Sequence, residues 1–135
     1  MLCVLELDTR DKSEEARKMQ AQFICDLTSL LVPLAAQNIK ANKVPPLYKS
    51  GVKYHRQNPK ACAYRWPSDV NKRRNGDCKQ LVLWRAGELL NAGEPVTFRV
   101  MWLNHRDGFQ AHILIRRKDG SWEDPSFILG MKGNG

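Results

Sequence analysis

The sequence predicts an α+β fold in which N-terminal and central helices pack on a mainly antiparallel sheet, and three observations carry that prediction. Apolar residues recur at helical intervals up to about Asn91, whereas β-branched and aromatic runs dominate from Val96, so helices precede a run of strands. Of the 135 residues, 42% are hydrophobic, enough for one sizeable core. No internal repeat or low-complexity segment divides the chain, so residues 1–135 read as a single domain.

The first eight residues suit a short strand. Asp11 and Glu14 have capping-box spacing, and Met19, Phe23, Leu27, Leu30, Leu31 and Leu34 then recur as the core-packing stripe of a long amphipathic helix. Pro33 is expected to kink that helix or end its first part, because proline lacks an amide proton and clashes with the preceding turn. From about Asn42 to Pro67, five residues (Pro45, Pro46, Gly51, Pro59 and Pro67) predict mostly irregular chain over the surface. Ser68 can cap a short helix through about Arg74, with Asn75-Gly76 ending it. The next helix opens at Cys78 and runs to about Asn91, where Gly93 supplies a left-handed stop; Cys78, Val82, Ala86 and Leu89 share its inward face. Residues 96–103, 112–116 and 121–124 read as three strands.

The formal net charge is +8, from 22 Lys and Arg against 14 Asp and Glu. The basic residues are scattered, with short clusters at Lys72-Arg73-Arg74 and Arg116-Arg117-Lys118, and no aromatic residues interleave with them as stacking recognition requires. Charge therefore allows a nucleic-acid partner without favouring one. No run of 18 apolar residues exists and the start lacks a basic n-region, so neither a membrane span nor a secretory signal is expected. Cys3, Cys25, Cys62 and Cys78 form no CxxC pair, which argues against a zinc knuckle or disulfide framework and fits a reducing compartment. His55, His105 and His112 lack metal-ligand spacing, so no metal and no other cofactor is expected.

Chemistry concentrates between Gly76 and Pro125. Gly76-Asp77-Cys78 opens an apolar helix, His112 opens a strand, and Asp124 follows a turn. A thiol is nucleophilic only as thiolate, and a helix N-terminus together with a nearby imidazolium lowers its pKa. Taken singly, Cys78 suits a buried small hydrophobe, His112 a satisfied strand histidine, and Asp124 before Pro125 a turn former; their order and settings together make a candidate triad. In it Cys78 attacks a carbonyl, His112 takes and returns the proton, and Asp124 orients the ring. The Cys78 backbone amide is one oxyanion donor, and Trp66 and Gln57 are candidates for the second. Glu123 and Asp107 are weaker carboxylate candidates, and His55 and His105 sit in polar, loop-like settings.

The hairpin before Asp124 decides whether the triad can form. A two-residue Asp119-Gly120 loop would pair Lys118 with Ser121 and put Asp124 on the sheet face opposite His112. A three-residue loop, Lys118-Asp119-Gly120 with Gly120 left-handed, pairs Arg117 with Ser121, sets Asp124 opposite Leu114, and puts His112 on the same face. The sequence permits either register. The triad needs the second, with His112, Leu114 and Asp124 expected to point toward the Cys78 helix.

These residues resemble the transglutaminase-like branch of the papain-fold cysteine enzymes, whose pattern is a Gly-x-Cys helix start, a His at a strand start, and an Asp before Pro after an Asp-Gly-x-Trp turn. The matching segments are Gly76-Asp77-Cys78, Ala111-His112, and Asp119-Gly120-Ser121-Trp122-Glu123-Asp124-Pro125-Ser126. Tyr48-Lys49-Ser50-Gly51-Val52, Trp66-Pro67-Ser68 and Leu129-Gly130-Met131 also resemble small bacteriophage and prophage members. The resemblance spans about residues 45–131, implied as the catalytic core, and leaves residues 1–40 as an N-terminal strand and helix. It implies hydrolysis or acyl transfer at an amide carbonyl of a protein or peptide, in a bacterial host cytoplasm or a virion. One departure is Gln80, where microbial members often carry an acidic residue. The alternative is a non-catalytic basic virion or assembly protein that keeps the fold and binds nucleic acid or a partner protein.

Overall fold

The computed structural model describes residues 2–6, 14–56, 61–105 and 108–132. Its elements run β1 (Leu2–Glu6), α1 (Glu14–Asn42), a 3-10 turn (Leu47–Lys49), β2 (Lys53–Tyr54), β3 (Ala61–Arg65), α2 (Pro67–Arg73), β4 (Asn75–Gly76), α3 (Cys78–Asn91), β5 (Thr97–His105), β6 (Gly108–Arg116), β7 (Trp122–Glu123) and α4 (Pro125–Ile128). The fold is α+β. Strands β5, β6 and β7 form an antiparallel sheet, β1 pairs antiparallel with β3, and β2 pairs parallel with β4.

Helix α3 is the centre of the fold because it is apolar on nearly every side: Leu81, Val82, Leu83, Trp84 and Ala86 are all fully buried. Its start is fixed by a capping box in which the Asp77 carboxylate accepts from the Gln80 amide at 3.0 Å and the Gln80 side chain accepts from the Asp77 amide. Gly93, at φ +85°, follows its end. Against one side lies α1, and the two approach closely at Gly87, where an added Cβ would stand 3.1 Å from the Ala36 amide nitrogen.

The buried face of α1 keeps only Leu31 of the expected stripe, with Leu27 half-buried against the core. Ile24, Thr28, Leu31, Val32, Ala35 and Ala36 face inward, whereas Met19, Phe23, Leu30 and Leu34 are exposed. Nor does Pro33 end the helix: it lies on the exposed side, and the buried residues on both flanks hold the helix together across it. By length and composition α1 could cross a membrane, although its inward residues belong to the core. Asp11, half of the expected capping pair, lies outside the described residues.

The proline-rich stretch is more regular than expected. It contains the 3-10 turn, β2 and β3, so Cys62 lies in a strand and not a loop. Helix α2 begins two residues earlier than expected, with Trp66 at the N-cap and Pro67 in the first turn. Ser68 instead binds α1, its amide and hydroxyl meeting the Asn38 side chain at 2.9 Å each. Left-handed Arg74, at φ +66°, ends α2, and Asn75-Gly76 continue as β4.

Strand β6 starts at Gly108, so His112 sits in mid-strand and does not open it. The hairpin has the three-residue loop: Ile115 pairs with Glu123, the Arg117 amide donates to Ser121 at 2.8 Å, and Gly120 is left-handed at φ +87°. One expectation for this face fails. Ala111, Ile113 and Ile115 are the residues that pack with Cys78, Val82, Leu89 and Ile24, while Leu114 lines a cleft with His112 and Asp124 on the other face. Side-chain alternation along β6 sends the larger apolar load of the odd-numbered positions to the helices.

Candidate active site

The start of α3 meets β6 at its Ala111–His112 step. Cys78, 1% exposed, has its Sγ 3.6 Å from the Ala111 carbonyl oxygen. On the neighbouring residue, His112 Nε2 lies 2.8 Å from Asp124 Oδ2. Asp124 is held in turn as the N-cap of α4, where Oδ1 accepts from the Phe127 amide at 3.2 Å. Pro125 in the first helical turn suits that start, so a local helix signal places the carboxylate.

With Nε2 taken by Asp124, the other ring nitrogen is the one left for the thiol. His112 Nδ1 is buried with no hydrogen-bond partner of ordinary geometry. Burial opposes charging the ring, but hydrogen bonding to Asp124 and to Cys78, and the negative charges of both, outweigh it and hold the imidazolium up to about 9. The ring thus stands between thiol and carboxylate. It can exchange a proton with the former while its tautomer is set by the latter.

Three further side chains lie around the site that the sequence does not single out. Lys79 is 6% exposed, with Nζ 3.9 Å from Cys78 Sγ and 3.4 Å from Asp77 Oδ2. The Tyr54 hydroxyl is buried without an ordinary hydrogen-bond partner; burial raises its pKa, and the Cys78 charge adds to that shift while Gln110 opposes it. Gln110 is 7% exposed and precedes His112 by two strand positions, which puts both on one face of β6. Only Gln110 carried a usable sequence signal, through that spacing. Tyr54 reaches the site because the parallel pairing of Tyr54 with Gly76 brings β2 beside the start of α3.

The other proposed participants are elsewhere or undescribed. Trp66 packs on the cluster of Leu31, Val32, Tyr64 and Leu83, away from the Cys78 cluster, so its expected oxyanion role has no geometric support. Gln57 and Asp107 lie outside the described residues. Glu123 is engaged by Arg85 at 2.7 Å, by Arg117 at 2.8 Å and by the Tyr48 hydroxyl, and it faces away from His112. His55 is exposed, and His105 is the last residue of β5, not part of a loop. The Cys25 thiol is pushed up by burial and then by Asp26, which leaves it a poorer nucleophile. Among the described residues no group of three His, Cys, Asp or Glu side chains could hold a metal.

Beside the dyad lies a cleft of about 170 Å³ lined by Met101, Leu103, His112, Leu114, Asp124 and Phe127. No family model, no curated protein and no solved structure matches the chain.

Proposed function

We propose that the chain is a cysteine-dependent amide hydrolase or acyl transferase of the transglutaminase-like, papain-fold type, working through a thioester on Cys78. The observation that carries this reading is the linear order Asp124 Oδ2, His112 Nε2 at 2.8 Å, and a buried His112 Nδ1 left over for the thiol. Cys78 attacks the carbonyl, His112 passes the thiol proton to the leaving amine, and water or a second amine then releases the acyl group. The Cys78 amide, at a helix start, and the Tyr54 hydroxyl are the two proposed oxyanion donors. The substrate is a protein or peptide, and the resemblance points to a phage or prophage protein acting in host cytoplasm or virion.

Labelling with a thiol-reactive carbonyl electrophile, followed by peptide mapping, tests the reading. Cys78 is expected to react ahead of Cys3, Cys25 and Cys62, and His112→Ala to abolish that preference; equal labelling of all four would defeat it. A second reading is favoured by the 1% exposure of Cys78 and by the exposed Trp122, which Arg99 and Arg116 overlie at 5.7 and 5.4 Å. On that reading the chain is a basic virion or assembly protein. A salt-dependent shift with nonspecific DNA that Cys78→Ala leaves unchanged would support it.

A further inference from the structure

Five ionisable side chains run through the site in alternating sign: Asp77, Lys79, Cys78, His112 and Asp124. The contacts along the run are 3.4 Å from Asp77 to Lys79, 3.9 Å from Lys79 to the thiol, and 2.8 Å from His112 to Asp124. Lys79 is the unexpected member. A lysine side chain ordinarily keeps its ammonium in water, yet this one is only 7% exposed and its carboxylate partner 4%. A buried ion pair is seldom a net gain in stability, because desolvation of both ions offsets their attraction. Its position against a nucleophile gives it a use.

We propose that Lys79 is a positioning residue for the Cys78 thiolate, supplying a second cation so that the anion is held from both sides. This inference rests on the reading of Cys78 as nucleophile. With Lys79 neutralised by Asp77 and His112 by Asp124, the uncharged thiol leaves two balanced pairs. Loss of its proton places a negative charge between two cations in a site where water does not screen them. Among the described residues the Tyr54 phenol, from β2, also feels the thiol's charge, and it stays neutral because burial and the thiolate both oppose its ionisation. Lys79 thereby frees His112 to cycle between acid and base without being the sole support of the thiolate.

The rate of Cys78 alkylation against pH, measured on the full chain, tests this. Lys79→Met is expected to move the midpoint up by about one to three pH units, as loss of a close opposite charge does. Lys79→Arg should restore most of the shift. Asp77→Asn should move the midpoint down, because asparagine keeps the N-cap while removing the charge that competes for Lys79. Since Lys79→Met strands a buried carboxylate, the double variant Asp77→Asn/Lys79→Met supplies a charge-balanced background, in which the midpoint must still lie above that of Asp77→Asn. A midpoint unmoved in both lysine-lacking variants would overturn the role of Lys79 while leaving selective, His112-dependent labelling of Cys78 intact. Loss of selective labelling in the unaltered chain would instead overturn the nucleophile and this inference together.

Discussion

Asp124 uses its two carboxylate oxygens for different tasks: Oδ1 caps α4 through the Phe127 amide, and Oδ2 meets His112. Asp124→Asn should therefore keep the fold, since asparagine caps as well, and lose turnover, since an amide nitrogen presents a donor where the imidazolium needs an acceptor. In the same variant the His112 midpoint, followed by NMR titration of its ring protons, is expected to fall from about 9 toward the ordinary 6.5. Wild-type rates in Asp124→Asn would reduce the site to a dyad of Cys78 and His112. Trp122→Ala belongs to a different class. Truncating a tryptophan in a core costs roughly 3 to 5 kcal/mol, but this ring is 45% exposed under two arginines. Denaturant midpoints should show a loss of about 1 kcal/mol. Cys78, His112 and Asp124 were legible in the sequence because each sits at a local marker: a cap, an apolar strand run, a turn before proline. Tyr54 and the buried setting of Lys79 were not, since both depend on which segments cross above the start of α3.

Between α1 and α3, packing keeps Leu27 and Leu31 of the stripe that periodicity suggests and turns the rest of it outward. The largest apolar side chains of α1 are outside, and small ones such as Ala35 and Ala36 are inside, where close approach to Gly87 leaves room for little else. A stripe chosen by side-chain size selects a partly wrong face when two helices pack this tightly. Pro33 sits on the outer side, where its missing amide removes one helical hydrogen bond. Pro33→Ala is accordingly expected to raise stability by about 1 to 3 kcal/mol, read as a higher thermal midpoint; a lower one would mean that the proline bends α1 into a shape the core requires. Gln80 ties α3 to β3, with Nε2 donating to the Ala63 carbonyl at 2.9 Å. Gln80→Glu replaces that donor with an acceptor in a fully buried position. The variant should lose about 1 to 3 kcal/mol or more at neutral pH and recover part of it in acid, as the new carboxyl is protonated. The hairpin register, by contrast, was one of two alternatives in the sequence, and Gly120 at φ +87° takes the form that puts Asp124 on the face of His112.

The whole chain carries the site's electrostatics into its stability. Because the folded His112 midpoint of about 9 lies above the ordinary 6.5, its contribution is complete below about pH 6.5 and is lost as pH rises through about 9. Urea midpoints at pH 6 and pH 9.5 should differ by an amount on the order of 2 to 3 kcal/mol, and by less in Cys78→Ala, where one of the stabilising anions is gone. No difference between the two pH values would mean that the pair is not ionised in the folded chain. At the acid end the sign reverses for Glu123: although burial opposes its charge, hydrogen bonds from Arg85 and Tyr48 hold it below its usual 4.5, so its stabilisation is present above that pH and is lost on further acidification. Dissolved ions divide the row of alternating charges unequally. The Asp124 side chain is 31% exposed, whereas those of Asp77 and Lys79 are 4% and 7% exposed. Counter-ions can gather around the outer carboxylate and are excluded from the inner pair, since screening acts through solvent. Raising ionic strength should thus weaken the hold of Asp124 on His112 and leave the hold of Lys79 on Cys78 almost untouched, so that brine and dilute buffer would tune the proton shuttle separately from the nucleophile.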